Sequence, residues 1–171
     1  MKATKQSAGR IRVLFPYVGD SVGGAQVSGT ALIENLDRDL YEAVLVLHEE
    51  GPFSEYLDER KIEYRTLPLS KYLGQRSGIV NHAIALIVTV PTLLSYLVRN
   101  RIGIVHGQDG RMNLTWMLPA KLAGVPFIWH QRSKFSQSRL SALGARFATH
   151  VVSISDYTFS TLPARLRSKS S

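Results

Sequence analysis

The sequence predicts an α/β domain: a Rossmann-like, doubly wound and mostly parallel sheet of about six to seven strands with helices on both faces. Three observations predict this class. Short apolar runs alternate with longer segments of helical periodicity. The runs are apolar at nearly every position, as expected for strands that are covered on both faces. Strands that alternate with helices in this way pair in parallel through right-handed crossovers.

The first four elements follow one another closely. Ile11–Tyr17 is a short apolar run that predicts the first strand, and the glycine-containing segment Val18–Gly24 predicts a turn. Apolar residues recur at helical spacing through Ala25–Leu36, which predicts the first helix. Ala43–His48 is again apolar and predicts the second strand.

Proline marks the next two predicted helices. It opens the segment Pro52–Lys61, and proline suits the first turn of a helix. Ile62–Leu67 predicts the third strand. The long apolar segment Ile79–Asn100 predicts a buried helix that is kinked or split at Pro91. A membrane span is the less favoured interpretation, because polar residues and the proline interrupt this segment.

The remaining elements continue the alternation to the end of the domain. Met112–Ala123 predicts a helix that Gly124 ends, Ser136–Ala148 predicts a basic amphipathic helix, and a short helix begins near Ser155. The last three predicted strands are Ile102–His106, Pro126–His130 and His150–Ile154.

The length and the chain ends define the predicted domain organisation. A chain of 171 residues matches one domain. Residues 1–10 are polar and basic, lack the apolar segment of a signal peptide and predict a disordered arm. Residues 11–163 form the predicted domain, and 164–171 a polar tail. We expect a cytoplasmic protein, with peripheral contact at the inner face of a membrane as an additional expectation.

Composition and charge exclude several classes. The chain has no cysteine, which excludes disulfides, a cysteine nucleophile and a thiolate zinc site. Residues 1–63 carry 7 basic and 11 acidic side chains, whereas residues 64–171 carry 14 basic and only 2 acidic ones. This asymmetry predicts that one side of the molecule faces an anionic partner, or else that the excess charge serves solubility. No nucleic-acid-binding signature is present, so nucleic acid is not an expected partner.

Ligands of doubly wound sheets bind beyond the carboxyl ends of the strands. Gly23 and Gly24 follow the first strand, where glycine lets backbone N–H groups approach an anion; the alternative is a tight turn that needs positive φ. His106 and His130 each end a predicted strand and are candidates for sugar binding, proton transfer or structural roles. Asp109 is a candidate ion-pair partner, helix cap or acceptor of a ligand hydrogen bond. We expect no metal site, because no further ligand is suitably spaced.

Three segments of the sequence carry a resemblance to a known family. They are LFPYVGDSVGGAQVSGTALIENL, IGIVHGQDGRMNLTWMLPAKLAGVPFIWHQRS and HVVSISDYTFSTL. Their order and spacing over about residues 11–163 resemble the N-terminal, acceptor domain of family 4 glycosyltransferases of the GT-B fold. The chain departs from that pattern at Gln26, where the family often has glutamate.

The resemblance implies an activity and its partners. Such enzymes are retaining glycosyltransferases with two Rossmann-like domains, of which the second binds the nucleotide-sugar. The chain corresponds to the first domain, so we expect it to be inactive until a donor-binding domain is supplied in cis or in trans. The implied partners are a nucleotide-sugar co-substrate and a glycan or lipid-linked acceptor. No cofactor and no metal are implied.

The resemblance also assigns roles to residues. Gly23 and Gly24 match a glycine pair beside the donor diphosphate, and His130 matches a histidine near the reacting centre. We assign His106, Asp109 and Arg132 to the acceptor side.

A non-catalytic binding module is the alternative, docking on a partner subunit or an anionic membrane. On this interpretation a basic stripe on the predicted helix 136–148 lies beside an apolar one, although the apolar stripe alone would also suit packing on the sheet. The basic residues are Arg132, Arg139 and Arg146, and the apolar ones are Leu140, Leu143 and Phe147.

Overall fold

A computed structural model describes residues 9–70, 72–73, 79–136 and 138–171, with the backbone alone for 79–85. Its strands form one all-parallel sheet in the order β3-β2-β1-β4-β5-β6. The predicted fold class is therefore confirmed. The strands are β1 (Ile11–Tyr17), β2 (Tyr41–Leu47), β3 (Arg65–Thr66), β4 (Ile104–Gly107), β5 (Phe127–Gln131) and β6 (His150–Ser153).

Seven helices connect or follow these strands in the described part of the chain. They are α1 (Gly24–Glu34), α2 (Pro52–Glu59), α3 (Ile79–Arg99), α4 (Gly110–Ala123), α5 (Arg139–Phe147), α6 (Asp156–Ser160) and α7 (Ala164–Arg167). Gly124 ends α4 in the left-handed conformation, with φ 68°, as its position predicted.

Alternate side chains of the central strands enter two separate cores. Phe15 and Leu47 face the smaller core, which α1 and α2 cover, whereas Leu14 and Val46 face the larger core, which α3, α4 and α5 cover. Helices therefore lie on both faces of the sheet. The register of β1 against β2 is Ile11 with Tyr41 through Tyr17 with Leu47.

The third predicted strand is shorter than expected. Residues 62–67 are predicted as one strand, but only Arg65 and Thr66 pair with β2. The first residue of this segment belongs to the end of α2, because the N–H of Ile62 donates to the carbonyl of Leu57 at 3.0 Å. Lys61 next to it adopts a positive φ of 55°.

The long helix α3 is continuous through Pro91 and is not split there. Its inner face is buried at Leu93 and Leu97, but Ile87 is 73% exposed, so the expectation of a buried helix holds for one face only. No helix in the described ranges is long and apolar enough to cross a bilayer.

The basic stripe predicted for α5 does not form as expected. Ser138 caps the helix by accepting from the N–H of Ser141, so Arg132 lies in the loop before α5. Arg139 and Arg146 are on α5 and exposed. In the apolar stripe, Leu140 and Phe147 pack against the larger core, whereas Leu143 is 47% exposed.

The segment predicted as a polar tail contributes to the fold. Leu166 of α7 is fully buried in the larger core. Ser171 then runs beside β6: its N–H donates to the carbonyl of Val151 at 3.1 Å, and its carbonyl accepts from Ser153 at 2.8 Å.

Candidate functional site

A cavity of about 940 Å³ opens at the carboxyl ends of β1, β4 and β5. Its walls are the start of α1, the β4–α4 junction and the segment that follows β5. The position is the topological switch point of the sheet, because β1 and β4 are neighbours whose connections leave in opposite directions. The volume lies at the upper end of the range typical of small-molecule sites.

The glycines after β1 have different roles. Gly19 has a φ of 116°, and a Cβ there would lie 1.9 Å from the carbonyl oxygen of Glu49, so the turn itself needs this glycine. Gly23 is extended, with φ −149°, and a Cβ on Gly24 would meet nothing within 4 Å. The backbone therefore does not require glycine at either position. Gly24 lines the cavity, and the missing side chain leaves the first N–H groups of α1 accessible to a ligand.

Gln26 stands where the resembled family often has glutamate, and its contacts are neutral. It is buried, and its Oε1 accepts from the N–H of Gly23 at 3.1 Å. No side chain caps the remaining N–H groups at the start of α1. The start of α1 therefore keeps the partial positive charge of a helix N-terminus, because the uncharged Gln26 does not neutralise it as a glutamate would.

Asp109 is a helix cap. Its Oδ1 accepts from the N–H groups of Arg111 and Met112 at 2.8 and 3.0 Å, so the cap is the one of the three roles left open by the sequence that the structure shows. Burial raises the pKa of its carboxyl group, and the two N–H donors and the charge of Arg111 oppose that rise. Asp109 also lines the cavity, so a contact with a ligand remains compatible with the cap.

An ion pair joins the loop after β1 to the start of α4. Both terminal nitrogens of Arg111 donate to the carboxylate of Asp20, at 2.7 and 2.9 Å. These hydrogen bonds hold the pKa of Asp20 below its usual value. The pair fixes two walls of the cavity relative to each other and neutralises the charge of Arg111.

His106 and His130 stack with their ring centroids 5.4 Å apart and their planes at 13°. His130 lines the cavity, whereas His106 is buried behind it and also contacts the ring of Phe15. Burial and the charge of Arg132 lower the pKa of His130 to about 4. Burial, with His130 and Arg132 adding to it, lowers the pKa of His106 to about 3. Both rings are therefore neutral at pH 7, and His106 does not reach the cavity as an acceptor-binding residue would.

Arg132 is held in the cavity wall by two residues that the sequence analysis did not single out. Its Nε donates to Oε1 of Gln108 at 3.1 Å, its Nη2 donates to the same oxygen, and its Nη1 donates to the hydroxyl of Ser28. Gln108 follows β4, and Ser28 lies one turn into α1. The sequence did contain a signal for Ser28: it lies four residues after Gly24 and therefore on the same face of the predicted helix.

The cavity therefore offers neutral imidazole, amide and hydroxyl groups, free backbone N–H groups, the exposed Lys134 and one arginine, Arg132, that is not paired with a described carboxylate. Such a set hydrogen-bonds a hydroxyl-rich ligand and stabilises negative charge. Among the described residues, no cluster of three histidine, aspartate or glutamate side chains is placed to hold a metal ion.

Solved structures share the fold of this chain at low sequence identity. MurG of Acinetobacter baumannii matches with a TM-score of 0.65 and 18% identity, over 90% of this chain and 43% of its own. Anabaena HepE in complex with UDP and glucose matches with 0.65 and 16%, over 95% and 44%. A putative UDP-N-acetylglucosamine 2-epimerase from Listeria monocytogenes matches with 0.70 and 13%, over 95% and 44%.

These matches establish the fold of the chain and its extent. It is the fold of one Rossmann-like half of GT-B proteins, and the chain spans under half the length of each of these structures. No family model and no curated protein matches the sequence.

Proposed function

We propose that the chain is the acceptor-side domain of a retaining glycosyltransferase that moves a sugar from a nucleotide-sugar to a glycan or lipid-linked acceptor. The observation that carries the proposal is the cavity at the switch point, whose lining brings together His130, Arg132 and the uncapped N-terminus of α1. The fold shared with Anabaena HepE, a protein solved with UDP-glucose, supports the same class.

The chemistry of this proposal rests on positioning and electrostatics. In retaining transfer the diphosphate leaves with negative charge, and the N–H groups at the start of α1 lie where such a charge is stabilised. His130 is neutral near pH 7, so its role is to hydrogen-bond a sugar hydroxyl rather than to attract the diphosphate as a cation. A second Rossmann-like half, present in the matched structures, supplies the remaining donor contacts and closes the cleft over the reacting atoms.

The first test measures ligand binding to the 171-residue chain. In ¹⁵N NMR titrations with neutral saccharides and with UDP-glucose, we expect shifts at Gly24, His130 and Arg132. His130→Ala should weaken saccharide binding about tenfold or more, since a hydrogen bond from a cavity-lining side chain is lost. His150→Ala, at the start of β6 and outside the cavity, is the matched control. Absence of saccharide-induced shifts at the cavity contradicts the proposal.

The second test measures turnover. We expect no UDP release from UDP-glucose by the chain alone, and release coupled to a glycoside product once a donor-binding half is joined after Ser171 or added in trans. Sugar transfer by the chain alone contradicts the proposal that donor binding requires a second half. An epimerised nucleotide-sugar without glycoside product assigns the domain to the epimerase class instead.

A further inference from the structure

Arg132 is a cation without an acidic partner in the wall of the cavity. Two other arginines of the described ranges form long-range ion pairs: Arg12 pairs with Glu42, and Arg111 pairs with Asp20. No described carboxylate lies within 4 Å of the Arg132 guanidinium, whose recorded partners are an amide and a hydroxyl. A half-buried charge without a counter-charge is destabilising, so its presence in a cavity points to a ligand that completes the pair.

The contacts of Arg132 hold the group in place and leave part of it free. A guanidinium has five N–H donors. Gln108 accepts two of them and Ser28 accepts one, which leaves one on each terminal nitrogen. Two free donors on adjacent nitrogens match the spacing of two oxygens on a carboxylate or phosphate.

Unpartnered polar atoms surround the same place. Gln108 is fully buried and lines the cavity, and its Nε2 has no hydrogen-bond partner in the protein. The same is true of Oδ1 of Asn113, which is 1% exposed. Nδ1 of His130 is a third such atom, so three buried polar atoms without a partner belong to residues lining one cavity, whereas such atoms are uncommon in folded proteins.

The charges that face the cavity leave an excess of positive charge at Arg132. Arg111 is neutralised by Asp20, and Asp109 is committed to two N–H groups of α4. Lys134 lines the same wall and is exposed. The position also differs from the start of α1, because Ser28 lies one helical turn beyond Gly24, or about 6 Å along the axis.

We propose that Arg132 binds an acidic group, phosphate or carboxylate, on the acceptor, so that the acceptor is an anionic saccharide. This inference rests on the proposed function and narrows its acceptor class. The diphosphate of the nucleotide-sugar is the other possible source of an anion. The test distinguishes it from an acidic acceptor because UDP and the acidic sugars are titrated separately.

The test compares four probes by isothermal titration calorimetry on the full chain: glucose, glucose 6-phosphate, glucuronate and UDP. We expect the two acidic sugars to bind about tenfold or more tightly than glucose, since a charged hydrogen bond replaces a neutral one. Arg132→Gln should remove that preference, so that the acidic sugars bind this variant no more tightly than glucose does, and Arg132→Lys should restore part of it. Arg139→Gln, an exposed position on α5, is the matched control and should leave all four affinities unchanged.

A measurement on the unmodified chain protects the test against a misfolded variant. Added inorganic phosphate should weaken glucose 6-phosphate binding and leave glucose binding unchanged, at constant ionic strength. Equal affinity for glucose and the acidic sugars overturns this inference and leaves the proposed acceptor role in place. An Arg132-dependent affinity for UDP alone also overturns it, because the anion then belongs to the donor. Absence of binding by any of the sugars overturns both proposals.

Discussion

His48 makes the stability of the fold sensitive to mild acid. It is 1% exposed and stacks on Trp116, whose indole Nε1 donates to Nε2 of His48 at 2.9 Å. The other ring nitrogen, Nδ1, lies 2.7 Å from the carbonyl oxygen of Leu67. A carbonyl only accepts, so Nδ1 carries the hydrogen and the ring is neutral. A proton added to Nε2 would face the indole N–H, so the folded protein disfavours it.

The magnitude follows from the difference in pKa between the two states. Burial lowers the pKa of His48 from 6.5 to about 4, against the hydrogen bond to Leu67, which raises it. The unfolded chain therefore binds the proton first, and stability that is complete above the unfolded pKa is lost as the pH falls from about 6.5 towards 4. At pH 5 the unfolded state is favoured about 30-fold by this residue, which equals about 2 kcal/mol.

The assay is urea unfolding of the wild type and of His48→Gln at pH 7.5, 6.5, 5.5 and 5.0. Glutamine keeps one donor and one acceptor but does not titrate. The difference in free energy of unfolding between the two proteins should shrink by about 2 kcal/mol from pH 7.5 to 5. His150→Gln, in a partly exposed histidine of β6, is the control. A constant difference between wild type and His48→Gln across this range refutes the reasoning.

Three further outcomes are expected from single substitutions. Gly29→Ala places a Cβ 1.8 Å from the hydroxyl of Tyr17 and should lower the free energy of unfolding by about 1–3 kcal/mol, whereas Gly24→Ala meets no atom and should leave it unchanged in urea unfolding. Asp109→Ala should destabilise by about 1 kcal/mol through loss of the α4 cap, and Asp109→Asn should recover most of that in the same assay. Gly124→Ala should lower thermal stability, by about 1 kcal/mol, because its φ is 68°; an unchanged melting temperature would contradict this.

The alternation of elements could be predicted because it depends on local patterns of apolar residues. The limits of β1 agree with the predicted ones, and Gly124 ends α4 as expected. The predicted strand over residues 62–67 was too long, because the backbone of Ile62 completes the end of α2 and only Arg65 and Thr66 pair with β2. The spacing of seven residues between Arg132, Arg139 and Arg146 also wrongly predicted one helical stripe, because α5 begins after Ser138 and Arg132 lies before it.

The candidate site was predictable to the extent that it follows from strand ends. His130 lies near the end of β5, Asp109 and Arg132 lie in the segments after β4 and β5, and all three line the cavity, as the rule for such sheets predicts. His106 has the equivalent position in β4, one residue before the strand ends, but it is buried against the rings of Phe15 and His130 and does not line the cavity. Gln108 and Ser28 escaped notice because uncharged side chains matter here only through the guanidinium that they hold.

The division of the sheet into two cores has a consequence for folding during synthesis. All fully buried residues of the smaller core lie between Val13 and Leu57, so the first βαβα unit can assemble early. The opposite face of the same strands, with Leu14, Val44 and Val46, packs in the larger core, whose helices α3, α4, α5 and α7 all follow Leu57 in the chain. At about 5–20 residues per second, the roughly 90 residues from Leu57 to the end of α5 take about 5–18 s to be made. For that interval the nascent chain presents an apolar sheet face to solvent or to a chaperone.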